Sequence, residues 1–151
     1  MPIPQFTQFG LLPQGIFDCT EDEILERYCL NSQNRQDIWL LFKEFLRQPL
    51  PFTLPDHLFI DGGFTSDKLI TSDIDVVADI SHLDDMSAYM AIGWWTLNKK
   101  FLKESYRVDF WLKHKTIQQN LVDFFRYVKV EEALSRGLPK NEKKGLLKIL
   151  I

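Results

Sequence analysis

The chain has 151 residues, of which 45% are hydrophobic and 26% charged, and its formal net charge at pH 7 is −3. This length and apolar content predict one globular domain, residues 1–151, and exclude a disordered chain. No apolar run approaches the roughly 20 residues of a membrane span, so we expect no membrane partner. The first ten residues lack the pattern of a secretory signal, which favours a cytoplasmic protein.

The N-terminal third predicts an arm followed by two helices. Residues 1–18 are rich in proline and have no period, which is typical of an extended arm. Thr20 and Glu23 match a capping box, which predicts a helix over 21–30. Apolar residues at helical spacing predict a second helix over 35–48, and a proline-rich connector ends it.

The rest of the chain alternates strand-like and helical segments. We expect strands over 57–61, 73–79 and 106–112, and helices over 64–70, 84–102 and 116–128. The tail, 129–151, ends in a segment that fits either a fourth strand or the end of a helix. The fold class is therefore α/β, more closely α+β: a small mixed sheet of three or four strands flanked by helices.

Asp73 and Asp75 flank Ile74 within an apolar run. On a strand, the i, i+2 spacing puts both carboxylates on one face and the apolar residues on the other. Two adjacent carboxylates repel each other unless a cation lies between them. This pair suits a hard divalent ion, Mg²⁺ or Mn²⁺, which leaves coordination positions for phosphates.

A glycine pair, Gly62 and Gly63, precedes this motif by nine residues. Glycines let a backbone approach a ligand closely and donate N–H groups to its phosphates. Over about residues 57–112 the arrangement resembles the polymerase-β-like nucleotidyltransferase superfamily, whose signature is Gly-Gly or Gly-Ser followed by Asp-x-Asp. That superfamily needs a third carboxylate from a later strand, and Asp109 lies in a suitable segment.

The resemblance implies a nucleotidyltransferase-like fold and a metal-dependent enzyme. It would transfer a nucleoside monophosphate from a nucleoside triphosphate to a hydroxyl group of a protein, an RNA or a small molecule. The implied catalytic residues, which are also the implied metal ligands, are Asp73, Asp75 and Asp109. The implied nucleotide-binding residues are Gly62, Gly63, Thr65, Ser66 and Lys68.

Each of these residues also has a purely structural interpretation. Thr65 and Ser66 are typical helix caps, Lys68 is equally typical of a solvated lysine, and Asp61 is typical of an aspartate that caps a turn. Asp109 could form a surface pair with Arg107, which would stabilise the fold little. The size resembles minimal nucleotidyltransferases of toxin–antitoxin and phage-defence systems. The alternative function is a non-enzymatic, antitoxin-like or regulatory module that binds a partner protein.

Charge is distributed unevenly along the chain. Residues 1–98 carry 15 acidic and 5 basic side chains, whereas residues 99–151 carry 6 acidic and 13 basic ones. The basic part could face the phosphates of a nucleotide or an RNA, or an acidic partner, or the two parts could attract each other in the fold. A basic rim over 99–115 is the candidate RNA surface: Lys99, Lys100, Lys103, Arg107, Lys113 and Lys115.

Overall fold

The computed structural model describes residues 3–117, 127–139 and 142–151. Within these ranges the chain forms a five-stranded mixed sheet flanked by four α-helices, which confirms the predicted α+β class. The strands are β1 (Ile16–Cys19), β2 (His57–Asp61), β3 (Ile74–Asp79), β4 (Val108–Lys113) and β5 (Leu146–Leu150). The helices are α1 (Glu21–Ile24), α2 (Gln33–Arg47), α3 (Asp85–Tyr106) and α4 (Val130–Arg136).

The strands lie in the order β1-β5-β2-β3-β4. β3 and β4 are parallel, as are β1 and β5, whereas β2 is antiparallel to both of its neighbours. Side chains alternate between the two faces of the sheet, and one face is apolar. Leu147, Ile60, Val76 and Phe110 lie in register across four strands and are all buried in the main core with the helices.

The sheet has more strands than predicted. The tail supplies β5, and the last residues of the predicted arm, together with Cys19, form β1. The arm packs on the domain, because Ile3, Leu11 and Leu12 are buried. β1 has only four residues and pairs with a strand near the other end of the chain. Such a short segment has too few residues for its alternation to predict a strand.

The helices follow the sequence signals with shifted ends. Thr20 and Glu23 form the predicted capping box, and α1 continues directly into a π-helical turn, Leu25–Cys29. α3 extends four residues beyond the predicted end and stops at Arg107, which has a left-handed backbone (φ 55°). The predicted helix over 116–128 falls largely outside the described residues. No helix in the described part is long and apolar enough to cross a membrane.

The predicted helix over 64–70 is wrong. Only a 3₁₀ turn, Gly63–Thr65, forms there, and Ser66 has an extended backbone. The buried Arg35 of α2 donates hydrogen bonds to the carbonyl oxygens of Gly63 (3.0 Å), Phe64 (2.8 Å) and Ser66 (2.8 Å). These contacts use the carbonyl groups that a helix would direct along its own axis, so the turn is held open by a side chain from another element.

Replacing Arg35 by methionine removes all three of these hydrogen bonds but keeps an apolar stem. We expect Arg35→Met to lower the free energy of unfolding by about 2–4 kcal/mol, because buried carbonyl groups lose a charged donor. Arg47→Met, on the same helix, is the matched control, since Arg47 is exposed and pairs with the exposed Glu44. Urea unfolding of both variants is the measurement, and equal losses would contradict the bracing role of Arg35.

Candidate functional site

Strand register places three aspartates side by side on the sheet face opposite to the main core. Asp75 of β3 pairs with Asp61 of β2 on one side and with Asp109 of β4 on the other. Directly paired residues point to the same face. The carboxylates of Asp73 and Asp109 both contact the ammonium group of Lys103, at 3.6 and 3.5 Å. The structure thus brings the three predicted aspartates together with a fourth, and we call these four residues the aspartate cluster.

Asp75 lies among the other three carboxylates of the cluster, and its pKa reflects their charges. Its burial, followed by the charges of Asp109, Asp61 and Asp73, raises the pKa of Asp75 from 3.8 to about 8. Desolvation and neighbouring like charges both favour the protonated acid. The charge of Lys144 opposes this shift, but burial and the neighbouring carboxylates outweigh it.

Asp61 is the most buried member of the cluster. Its carboxylate lies 3.2 Å from the ammonium group of Lys144, just before β5, which is a partner that the sequence did not indicate. Burial raises the pKa of Asp61, and the charge of Lys144 opposes this shift. The side chains of Asp61 and Lys144 are only 3% and 13% exposed, so this pair is part of the interior beneath the site.

Lys103 is the second counter-ion of the cluster and differs from Lys144 in exposure. It lies in the last turn of α3, and its side chain is 54% exposed. The charge of Asp109 is the largest cause that raises the pKa of Lys103. An exposed ammonium group on a flexible stem can leave its partners without unfolding the helix that carries it.

The two glycines fit tightly against the cluster. Gly62 has a left-handed backbone (φ 86°), and a Cβ atom there would overlap the carboxylate of Asp75. At Gly63 a Cβ atom would lie 2.9 Å from Oγ1 of Thr71 and 3.2 Å from Cδ of Lys68. The serine that many members of the resembled superfamily carry at this position would therefore require Thr71 to move.

The other predicted nucleotide-binding residues surround this turn. Thr65 and Ser66 are buried, and their hydroxyl groups donate to the carbonyl oxygens of Gly62 and Gly63, so they stabilise the turn itself. The stem of Lys68 lies near Gly63, and its ammonium group is 3.7 Å from Glu132 of α4. Among the predicted nucleotide-binding residues, Lys68 therefore offers a charged group that is half-exposed beside the turn.

The six side chains of the predicted basic rim all have partners within the chain. Arg107 does not pair with Asp109; it donates to the carbonyl oxygens of Thr71 and Ser72. Lys99 lies over the rings of Trp95 and Trp111. The remaining four pair with acidic groups: Lys100 with Glu104, Lys103 with Asp73 and Asp109, Lys113 with Asp79, and Lys115 with Asp85.

The oxygen donors of the cluster are of the chemical type that binds a hard divalent cation, but they are not arranged as a metal site. In the ranges that the structure describes, no three His, Cys, Asp or Glu side chains form a group that could hold a metal ion. Carboxylate oxygens are nevertheless the ligands that Mg²⁺ prefers. The raised pKa of Asp75 and the approach of Lys103 to two of the four aspartates also indicate a place where positive charge is needed.

Sequence reasoning missed the residues that support the site from distant elements. Arg35, Lys144 and the register that joins Asp61 to Asp75 depend on contacts between elements far apart in the chain. The position of Asp61 directly before the glycine pair was the one sequence feature that could have indicated its place in the cluster. The sequence predicts Lys103 as part of a basic rim, whereas in the structure its ammonium group contacts the carboxylates of Asp73 and Asp109.

Comparison with protein families gives one match. The model of the family of unknown function DUF6932 matches residues 4–150. The chain belongs to this family. No curated protein matches it. No solved structure matches it either.

In this DUF6932 member, Gly62→Ala tests the contact between the turn and Asp75. We expect the variant to be destabilised by about 1–3 kcal/mol, because alanine is strained at this φ and its methyl group displaces the carboxylate. Gly93→Ala, within α3, is the control, since the new methyl group meets no described atom within 4 Å apart from its chain neighbours and its own helix backbone. Alanine should stabilise that helix by about 0.5–1 kcal/mol. Thermal melts that shift in the same direction for both variants would contradict the tight fit.

Asp75→Asn tests the charge balance of the cluster in metal-free protein. The folded chain keeps a proton on Asp75 up to about pH 8, whereas the unfolded chain releases it near pH 4. The contribution of this group to stability therefore falls as pH rises through that window. Asparagine does not titrate, so we expect the variant to lose this part of the pH dependence and to melt no lower than wild type at pH 8.

Asp79→Asn is the control for Asp75→Asn, because Asp79 lies on the same face of β3 and its pKa is lowered by hydrogen bonds that Ser81 donates and by Lys113. Its ionised form stabilises the fold, so this variant should melt lower than wild type at pH 8. Thermal melts with a chelator at pH 5 and pH 8 compare the two variants. A lower melting temperature for Asp75→Asn at pH 8 would make Asp75 a structural residue.

Proposed function

We propose that this protein is a metal-dependent nucleotidyltransferase that moves a nucleoside monophosphate from a nucleoside triphosphate to a hydroxyl acceptor. The observation that carries the proposal is the register of β2, β3 and β4, which sets Asp75 beside Asp109 next to the turn at Gly62. Clustered carboxylates next to a glycine turn are suited to hold a cation and a triphosphate together.

Asp73, Asp75 and Asp109 would hold Mg²⁺ or Mn²⁺. When bound, the ion would neutralise phosphate charge, which is the main requirement of phosphoryl transfer. The backbone of Gly62 and Gly63 would lie along the triphosphate, and Lys68 would add a positive charge beside it. These residues would act mainly by positioning the nucleotide.

Asp109 is the residue suited to accept the proton of the attacking hydroxyl group. It lies on β4, at the edge of the sheet, and is more exposed than Asp73 or Asp61. The acceptor oxygen would form a bond to the α-phosphorus atom, the bond from that atom to the bridging oxygen would break, and pyrophosphate would leave. The hydroxyl proton would pass to a carboxylate oxygen of Asp109.

The basic rim bears on the class of acceptor. Because four of its six members, Lys100, Lys103, Lys113 and Lys115, lie beside acidic side chains, the rim has little net positive charge with which to attract a long polyanion. We therefore favour a protein hydroxyl group over RNA as the acceptor, with a small molecule as the third class.

A different observation favours the alternative, a non-enzymatic module that binds a partner protein. Apolar side chains on α3 are exposed at helical spacing: Met86, Tyr89, Met90, Leu97 and Phe101. Exposed apolar stripes of this kind are typical of surfaces that contact another protein. An antitoxin-like or regulatory role would use this stripe and would not require the aspartate cluster to bind a metal.

Nucleotide binding separates the two functions. We expect the purified protein to bind a nucleoside triphosphate only with Mg²⁺ or Mn²⁺, and Asp109→Asn to weaken this binding at least tenfold. Asp79→Asn, on the same sheet face but outside the cluster, should bind as wild type does. Calorimetric titration with ATP, GTP, CTP and UTP provides the measurement. Binding that does not depend on metal, or equal losses in both variants, would contradict the proposal.

The acceptor can then be found with α-labelled nucleotides. Incubation of the protein with each labelled triphosphate and a cell lysate should transfer label to protein, with Asp109→Asn as the inactive control. Label on RNA would overturn our choice of acceptor but not the proposed reaction. Triphosphate binding without transfer to any lysate component would favour the regulatory module.

A further inference from the structure

Lys103 occupies the carboxylates that the proposed function assigns to a divalent cation. Its ammonium group lies 3.6 Å from Oδ2 of Asp73 and 3.5 Å from Oδ2 of Asp109. The two aspartates come from different strand ends, so no contact along one helix or strand explains this bridge. The ammonium group neutralises the open side of the cluster, as Lys144 neutralises its buried side at Asp61.

A divalent ion and the ammonium group cannot share these oxygens. An ion bound to these oxygens would lie within a few ångströms of the ammonium group and would repel it, and its double charge doubles the repulsion that a single charge would exert. Lys103 must therefore leave when the ion binds. Its exposed stem allows this movement, whereas the buried Lys144 has no comparable freedom.

We propose that Lys103 is a built-in competitor of the divalent cation, which keeps the aspartate cluster neutralised until a nucleotide arrives. This inference rests on the proposed function and adds a means of regulation to it. Once displaced, the ammonium group lies at the edge of the cluster, where the negative charge of a triphosphate stabilises its outward position. Metal and nucleotide then bind cooperatively: the metal moves Lys103 outward to where it contacts the triphosphate, the triphosphate holds it there, and metal alone binds weakly.

The proposal predicts that one substitution at Lys103 raises the affinity for the metal and lowers the affinity for the triphosphate. Lys103→Met should bind Mn²⁺ alone about tenfold more tightly than wild type, because the competing charge is gone. The same variant should bind the triphosphate several-fold more weakly at saturating Mn²⁺, because the displaced ammonium group is missing. Lys100→Met, three residues away on the same helix at a lysine that pairs with Glu104, should change neither affinity. Lys103→Arg should restore wild-type behaviour in both measurements.

Electron paramagnetic resonance of free Mn²⁺ and calorimetry with ATP measure the two affinities. Equal or weaker Mn²⁺ binding by Lys103→Met would overturn the competitor role while leaving the proposed function intact. Absence of Mn²⁺ binding in wild type and in Lys103→Met, with and without ATP, would overturn both.

A measurement on the wild-type chain avoids any dependence on how the variants fold. Acetylation of lysines by an activated ester, read by mass spectrometry, should be several-fold faster at Lys103 when Mn²⁺ alone is present at a saturating concentration, because the ammonium group has left its carboxylates and no triphosphate holds it. Lys100 should react at an unchanged rate. If Lys103 reacts at the same rate with and without saturating Mn²⁺, it does not leave the cluster, and the proposal is wrong.

Discussion

Repulsion among the carboxylates of the aspartate cluster is the unfavourable interaction that the rest of this structure has to offset. Like charges directly opposite on neighbouring strands are destabilising, yet β2, β3 and β4 place Asp61, Asp75 and Asp109 in one row. The opposite sheet face explains why this register persists. Ile60, Val76 and Phe110 are buried there, and a slip by one residue would move each strand's apolar set into solvent. Hydrophobic burial thus enforces the arrangement that concentrates negative charge.

The loop beside the cluster is held by side chains rather than by its own secondary structure. Arg35 holds the turn from α2, and Asn34 both donates to the carbonyl and accepts from the N–H group of Thr71. Tyr28 donates to the carbonyl oxygen of Thr65, and Arg107 holds the end of the loop from the α3–β4 junction. A loop whose backbone is bonded this often presents its main chain in a fixed position, which favours binding over local flexibility.

The sequence was informative where structure depends on near neighbours. The capping box at Thr20, the strands on either side of the glycine pair and the α+β class were all predicted and are confirmed. Prediction failed where a distant residue overrides local preference. Residues 64–70 have helical signals, but Arg35, 29 residues before Phe64, holds their carbonyl groups. The pairing of β1 with β5 and the contact of Lys144 with Asp61 depend in the same way on the complete fold.

Ion pairs within the fold bring together the basic and acidic parts of the chain, which explains the uneven distribution of charge along the sequence. Within the described ranges, five basic residues of the later part pair with aspartates of the earlier part: Lys103, Lys113, Lys115, Arg136 and Lys144. Exposed pairs such as Lys115 with Asp85 contribute little stability, whereas loss of Lys144 would leave a buried, uncompensated carboxylate. The number of charges in the sequence does not distinguish exposed from buried ion pairs, because the exposure of the side chains determines how much each pair contributes to stability. The same difference in exposure makes Lys144 a permanent counter-ion of the cluster and Lys103 a removable one.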